Sequence, residues 1–193
     1  MATVKILAFA GSTRKDSLNK KLVQLAAQHS RDAGAEVTLI DLRDLPMPLY
    51  DGDLEATGGI PENGKKFKNL LRDHAGLLIS SPEYNSSISG VLKNAIDWAS
   101  RPETDNETPL VCFKGKVVAL MSASPGGLGG LRGLVHVRAI LGNIGVIVLP
   151  DQLSISSAND AFDASGKLKD EGKTKQLKAL ASGLAQTLQK LNA

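Results

Sequence analysis

Short runs of apolar and β-branched residues alternate along this chain with longer stretches whose apolar positions recur at helical spacing. Strands buried on both faces of a parallel sheet read as continuous apolar runs, whereas a helix shows an apolar stripe. Five runs are therefore predicted as strands, at residues 4–10, 36–40, 75–80, 116–121 and 145–149. The longer stretches predict five helices, at residues 18–33, 61–73, 89–100, 131–141 and 173–191.

The alternation of strands and helices restricts the fold to a few topologies. Right-handed crossovers between parallel strands place helices on both faces, so we predict an α/β protein with a doubly wound five-stranded parallel sheet. The strand order of such a sheet is of either the dinucleotide-binding or the flavodoxin-like type. The chain has 193 residues, the length of one typical domain, and we expect residues 1–193 to form a single domain.

Two connections are longer than is usual between the elements of a compact domain, at residues 41–60 and 101–115. Loops of this length are generally functional or flexible. The second is charged and carries Pro102 and Pro109, which suits either a disordered segment or a contact with a partner.

Composition excludes several classes of protein. The net charge of +3 is too small to indicate nucleic-acid binding, and an aromatic content of 4% argues against a base-stacking surface. The apolar runs are far shorter than a bilayer span, and no secretory signal is visible at the start of the chain. The single cysteine, Cys112, excludes an internal disulfide and a cysteine metal cluster, and is expected to be an inert filler. We therefore expect a cytoplasmic protein without a membrane span.

Polar and glycine residues collect in three loops, which follow the first, third and fourth predicted strands. These loops are residues 11–19, 81–87 and 122–130. In doubly wound sheets, ligands bind beyond the carboxyl ends of the strands, where the strand order reverses. The three strands are neighbours in the flavodoxin-like order 2-1-3-4-5, and we predict this order for the sheet.

The first loop has the composition of a phosphate-binding site. Gly11 permits a tight turn, Ser12 and Ser17 offer hydroxyls, Asn19 offers an amide and Arg14 offers a forked cation. The following helix directs its unpaired N–H groups at the same place. An ordinary capped helix with its arginine in solvent is the alternative interpretation. The glycine spacing fits neither the dinucleotide fingerprint nor the P-loop.

The second loop carries a flat ring, an amide and a carboxylate, in the sequence Pro82-Glu83-Tyr84-Asn85. An amide and exposed backbone groups can bind the pyrimidine edge of a flavin, and Tyr84 can cover or flank its ring. A structural turn is the alternative, because proline and asparagine are common turn residues.

Taken together and in this order, the three loops resemble the NADPH-dependent FMN reductase family, and more narrowly its chromate, quinone and azo-dye reductase branch. The resemblance extends over about residues 4–149. Its motifs are Gly11-Ser12-x-Arg14-x-x-Ser17-x-Asn19, the run from Pro82-Glu83-Tyr84-Asn85 to Asp97-Trp98, and the segment from Ser124 to Gly130 with Arg132 and His136.

The resemblance implies a flavodoxin-like fold, a bound FMN, NAD(P)H as co-substrate, and a homodimer or homotetramer. It places Ser12, Arg14, Ser17 and Asn19 at the FMN phosphate. It places the second loop along the isoalloxazine ring, with Ser124 reaching it from the third. The full implied set of cofactor-binding residues is Ser12, Arg14, Ser17, Leu18, Asn19, Pro82, Glu83, Tyr84, Asn85, Ser86 and Ser124.

The favoured function is that of an FMN-dependent oxidoreductase, which transfers hydride from NAD(P)H through FMN to an acceptor. Quinones, azo dyes, chromate, ferric chelates and free flavin are the expected acceptors. No catalytic acid or base and no metal are required, because the cofactor carries the chemistry. A flavodoxin-type carrier of single electrons is the alternative. Such carriers are usually strongly acidic, unlike this chain. A phosphate-binding regulatory module is a third possibility, and the sequence leaves NADPH and NADH open.

Overall fold

A five-stranded parallel sheet forms the centre of the structure, a computed structural model that describes residues 3–191. Its strands are β1 (Lys5–Ala10), β2 (Glu36–Asp41), β3 (Gly76–Ser80), β6 (Val117–Ala123) and β7 (Ile147–Ile155). A separate antiparallel hairpin consists of β4 (Glu83–Tyr84) and β5 (Ser87–Ile88). The helices are α1 (Leu18–Asp32), α2 (Gly52–Gly58), α3 (Glu62–Asp73), α4 (Gly90–Ala99), α5 (Leu131–Asn143) and α6 (Glu171–Leu191).

The strand order is β2-β1-β3-β6-β7, which is the predicted 2-1-3-4-5 once the short hairpin is set aside. Alternate residues of β1 point to opposite faces of the sheet, Ile6 and Ala8 to one and Leu7 and Phe9 to the other. The first face packs against α1 and α6, and the second against α3, α4 and α5. The predicted flavodoxin-like fold is confirmed.

The prediction for the last strand was wrong at its carboxyl end. Residue 149 was expected to end it, but β7 continues to Ile155 after a register shift opposite Val118 and Leu120 of β6. Pro150 lies in this irregularity, where a strand tolerates a residue that cannot donate a hydrogen bond. Arg138 of α5 donates to the carbonyl oxygens of Leu149 and Pro150, at 2.8 and 3.3 Å, and thereby holds the bulged segment.

The first long connection is ordered and lies across α4. It contains a 3₁₀ turn (Leu42–Asp44) and the short helix α2, neither of which the sequence predicted. Asn94 accepts from the N–H of Tyr50 at 2.8 Å and donates to the carbonyl of Pro48 at 2.9 Å. The indole of the buried Trp98 donates to the same carbonyl at 2.8 Å. These contacts fix the connection against α4.

The second long connection is fixed by a buried charge cluster at α3. Lys68 contacts the carboxylate of Glu107 at 3.1 Å, and it also donates to the carbonyl of Arg101. Arg72 pairs with Glu103 at 3.0 Å and with Glu107 at 2.5 Å. The segment 101–115 is therefore pinned to α3 although it contains neither helix nor strand. None of the helices in the described part of the chain is both long and apolar enough to cross a membrane.

Candidate active site

A cleft opens at the carboxyl ends of β1, β3 and β6, where the polar loops meet. Nine of the eleven predicted site residues line it, and the other two, Asn85 and Ser86, form the turn of the adjacent hairpin. The lining residues are Ser12, Arg14, Ser17, Leu18, Asn19, Pro82, Glu83, Tyr84, Ala123, Ser124 and Pro125. Ala123 and Pro125 were not predicted, since neither side chain carries a polar signal.

Backbone contacts set the shape of the first loop. The N–H of Gly11 donates to the carbonyl of Ser80 at 2.9 Å, and the hydroxyl of Ser89 donates to the carbonyl of Gly11 at 2.6 Å. A Cβ atom at position 11 would lie 2.9 Å from the Cβ of Leu92, closer than real Cβ atoms approach. Glycine is therefore required where the loop turns over α4.

The start of α1 directs unpaired backbone donors into the cleft. Ser17 is the N-cap residue, but its hydroxyl makes no capping hydrogen bond. The N–H groups of Leu18 and Asn19 begin the helix, so they have no acceptor within it. In an ordinary capped helix the hydroxyl of the N-cap serine accepts a hydrogen bond from a backbone N–H of the first turn. The hydroxyl of Ser17 accepts no such bond. The arrangement favours an anion at the helix terminus.

Arg14 is the cation that the cleft offers to a ligand. It is exposed, it lines the cleft, and it forms no ion pair with any residue in the described range 3–191. Lys20, in the first turn of α1, is by contrast held by Asp41 at 2.5 Å. A guanidinium that has no ion-pair partner within residues 3–191, beside unpaired N–H groups, suits a phosphate dianion.

Asn19 has a structural role that the sequence did not indicate. Its buried amide donates to the carbonyl of Ala123 at 2.8 Å and accepts from the N–H of Ala123 at 2.9 Å and from the hydroxyl of Ser80 at 2.8 Å. The side chain therefore joins the ends of β3 and β6 to α1. One amide hydrogen and the backbone N–H remain for a ligand.

The second loop is a β-hairpin rather than an irregular segment. Tyr84 pairs with Ser87, so Asn85 and Ser86 form a two-residue turn, with φ values of 49° and 65°. Positive φ at both positions is the geometry of a type I′ turn, which asparagine tolerates well. Tyr84 remains 48% exposed at the cleft. The loop is thus a structural turn that also presents an aromatic ring.

The carboxylate of Glu83 is turned toward α5. It accepts from Arg132 through Nε and Nη2, at 2.9 and 2.6 Å, and from the N–H of Gly133 at 3.0 Å. Desolvation opposes ionisation, but the Gly133 N–H and the Arg132 guanidinium outweigh it and hold the pKa of Glu83 below its ordinary value. The residue lines the cleft with its charge already paired, which limits its repulsion of an anionic ligand.

The third loop is tied to the end of β7. The N–H of Ser124 donates to the carbonyl of Ile155 at 3.0 Å, and the N–H of Ala158 donates to the carbonyl of Ser124 at 3.1 Å. Gly129 has a φ of +62°, and a Cβ there would lie 2.7 Å from the backbone of Ile155. This contact could not be predicted from the sequence, because residues 155–158 carry no motif.

Comparison with known proteins identifies the family. Residues 4–160 match the sequence model of the family described as NADPH-dependent FMN reductase. The chain belongs to the NADPH-dependent FMN reductase family. The predicted family is thereby confirmed, and with it the enzyme class: members of this family are NAD(P)H-dependent oxidoreductases that use FMN.

Several known proteins are similar to this chain over most of its length. An NAD(P)H-dependent FMN reductase of Pseudomonas aeruginosa is 40% identical and covers 87% of this chain and 86% of its own. An NAD(P)H:quinone oxidoreductase of Solanum tuberosum is 35% identical, with coverages of 94% and 91%. The flavoenzyme NAD(P)H:(acceptor) oxidoreductase FerB of Paracoccus denitrificans superposes with a TM-score of 0.78 at 28% identity, over 97% of this chain and 98% of its own.

The residues of the cleft fit FMN. The unpaired Arg14 and the N–H groups at the start of α1 suit its phosphate. The half-exposed Tyr84 suits its planar ring, and the paired Glu83 adds little repulsion. When bound, FMN would supply the hydride-accepting ring, which no side chain of the protein provides.

Proposed function

We propose that this chain, as one flavodoxin-like domain, is an FMN-dependent NAD(P)H:quinone oxidoreductase. The observation that carries the proposal is the cleft, where the unpaired Arg14 and the open end of α1 lie beside the exposed ring of Tyr84. The Solanum tuberosum relative, named a quinone oxidoreductase, supports quinones as acceptors. Azo dyes, chromate, ferric chelates and free flavin are further acceptors of the same planar or oxidising type. A cytoplasmic location, in keeping with the buried thiol of Cys112, is part of the proposal.

The proposed roles divide the cleft into two parts. Arg14 and the hydroxyls of Ser12 and Ser17 bind the phosphate, together with the backbone N–H groups of Leu18 and Asn19. The other part holds the ring edge and leaves one face of the ring open to substrate. Its residues are Pro82, Glu83, Tyr84, Asn85, Ser86 and Ser124. The protein orients the ring and excludes water, and no side chain is assigned a proton transfer.

Kinetics with NADPH, NADH and a benzoquinone test the function directly. Because donor and acceptor would use the same open face, the oxidised nicotinamide must leave before the quinone enters. We expect a ping-pong scheme, with parallel double-reciprocal plots at several quinone concentrations. Intersecting plots with product inhibition typical of a ternary complex would contradict the shared face. FMN binding without NAD(P)H oxidation would instead support the single-electron carrier.

An exposed apolar stripe on α5 supports the proposed homo-oligomer. Leu131 and Val135 are 41% and 57% exposed, and Ala139 continues the stripe one turn later. Exposed apolar residues in a row on one helix are typical of a surface that another protein covers. We propose that a second copy of this chain covers it.

Light scattering on size-fractionated protein tests the assignment of this surface. Val135→Asp places a charge in the centre of the stripe, so we expect a dimer or tetramer to give way to monomer. Leu54→Asp makes the same kind of change at a comparably exposed residue of α2 and should leave the mass unchanged. A monomeric parent, or a Val135→Asp protein with the parental mass, would refute the interface.

A further inference from the structure

The β4–β5 hairpin rests on the first turns of α5. Besides the contacts of Glu83 with Arg132 and Gly133, the ring Nδ1 of His136 lies 2.8 Å from the hydroxyl oxygen of Ser87. The hairpin also packs closely on α5 at Gly133. A Cβ atom at this position would lie 3.2 Å from the carbonyl oxygen of Ser87 and 3.3 Å from the Cβ of Glu83. Polar and packing contacts therefore join both strands of the hairpin to one helix.

The hairpin depends on this helix for its position. Each of its strands has two residues, too few for a hairpin to be stable alone. The side chain of Glu83 is 8% exposed, and its two oxygens are bound by one guanidinium and one N–H at a helix start, where a negative charge is favoured. Arg132 is 58% exposed, so it is a partner that can be changed without opening the core.

We propose that Glu83 and Arg132 form a latch that positions the β4–β5 hairpin, and with it Tyr84 and Asn85, against the flavin ring. The inference rests on the proposed function, because it names residues that orient the cofactor of that same site. The carboxylate of Glu83 acts through Arg132 and α5, so these two side chains have a positioning role.

Hydrogen exchange of the apoprotein tests the latch without any cofactor. Arg132→Met removes the guanidinium, and Glu83→Gln keeps the shape but removes the charge. We expect the amides of residues 83–88 to exchange roughly fivefold faster in both variants, which corresponds to about 1 kcal/mol of local stability. Lys93→Met, which removes a half-exposed cation paired with Asp97 on α4, should leave them unchanged. Parental exchange rates in both latch variants would overturn the proposal.

Titration of the apoproteins with FMN and riboflavin tests the consequence for the ring. A displaced hairpin affects both ligands through the ring they share, so both latch variants should weaken FMN and riboflavin by the same factor, roughly three- to tenfold. The visible circular dichroism of the bound flavin should change with them. Arg132→Lys should restore part of the affinity, and the double variant should lose no more than either single one, because both residues act through one contact.

The outcomes separate this proposal from the function on which it rests. Faster exchange of the hairpin with parental affinity for both flavins would overturn the positioning role. A larger loss of affinity for FMN than for riboflavin would also overturn it. Riboflavin lacks the phosphate, so that result would indicate a change at the phosphate-binding part of the cleft and not at the ring. If the parent binds neither flavin, the proposed function fails and the ring-positioning role fails with it, while the exchange data still decide whether the latch exists.

Discussion

Replacing Arg14 by alanine is expected to weaken FMN binding by roughly 10- to 100-fold while riboflavin binding hardly changes. The guanidinium has no ion-pair partner among the described residues, so its proposed partner is the phosphate, which riboflavin lacks. A hydrogen bond to a charged group contributes about 1.5–3 kcal/mol, and about 1.4 kcal/mol corresponds to a tenfold change in affinity. Fluorescence titration of the apoprotein with both ligands measures the effect.

A neighbouring cation provides the control for this experiment. Lys15 is exposed and adjacent to Arg14, but it does not line the cleft. Lys15→Ala removes the same charge, and we expect it to change FMN affinity much less. Equal losses for FMN and riboflavin in Arg14→Ala would point to a disturbed ring site or fold. An unchanged affinity for FMN would remove Arg14 from the site, and with it the support for Ser12 and Ser17.

The parts of the fold that the sequence predicted are those with a periodic or continuous pattern. The strands β1, β3 and β6 are buried on both faces and therefore appear as unbroken apolar runs. Their order followed from where the polar loops fell, since ligand loops collect at the switch in strand order. The extension of β7 could not be predicted, because Pro150 reads as the end of a strand. The strand continues past Pro150 because Arg138, which lies on α5, holds the bulged segment, and the sequence does not show this contact.

The same distinction applies to the candidate site. The residue types that surround the cleft were visible as motifs, because phosphate and flavin require hydroxyls, amides and a cation at short spacing. What those side chains contact was not visible. Glu83 finds its partner 49 residues further along the chain, and Asn19 bonds to a residue 104 positions away. A carboxylate that faces a cofactor and one that faces a helix have the same sequence signal.

The hairpin illustrates how two interpretations of one motif can both hold. The sequence offered either a turn or a flavin-binding loop for residues 82–85. Positive φ at Asn85 and Ser86 requires turn-forming residues there, whatever the function. The turn also brings Tyr84 to the cleft with nearly half of its surface exposed. The turn requires particular residue types at Asn85 and Ser86, whereas the proposed ring contact is made by the neighbouring Tyr84. The two interpretations are therefore compatible.

The charge cluster at α3 predicts the largest change in stability. Lys68 is 1% exposed, and Lys68→Met would leave Glu107 with Arg72 as its remaining cationic partner. Breaking a buried pair by removing one partner costs about 3–5 kcal/mol, and we expect the lower end because Arg72 remains. Urea unfolding at neutral pH measures this free energy. Lys66→Met, on the same helix but at an exposed pair with Glu62, should change it by less than about 0.5 kcal/mol.

The pH dependence of unfolding gives a second and independent measure of the same cluster. Desolvation alone would raise the pKa of Glu107, but the N–H of Glu103 and the cations Arg72 and Lys68 lower it from 4.5 to about 2. Because the folded-state pKa is the lower one, the carboxylate stabilises the protein fully above about pH 4.5. That stabilisation is lost as the pH falls toward 2. In Glu107→Gln this part of the acid destabilisation should be absent. In Lys68→Met it should be smaller and should end at a higher pH than in the parent, because losing one cation moves the folded-state pKa back toward 4.5. Identical acid transitions in all three proteins would show that the cluster does not hold the connection to α3.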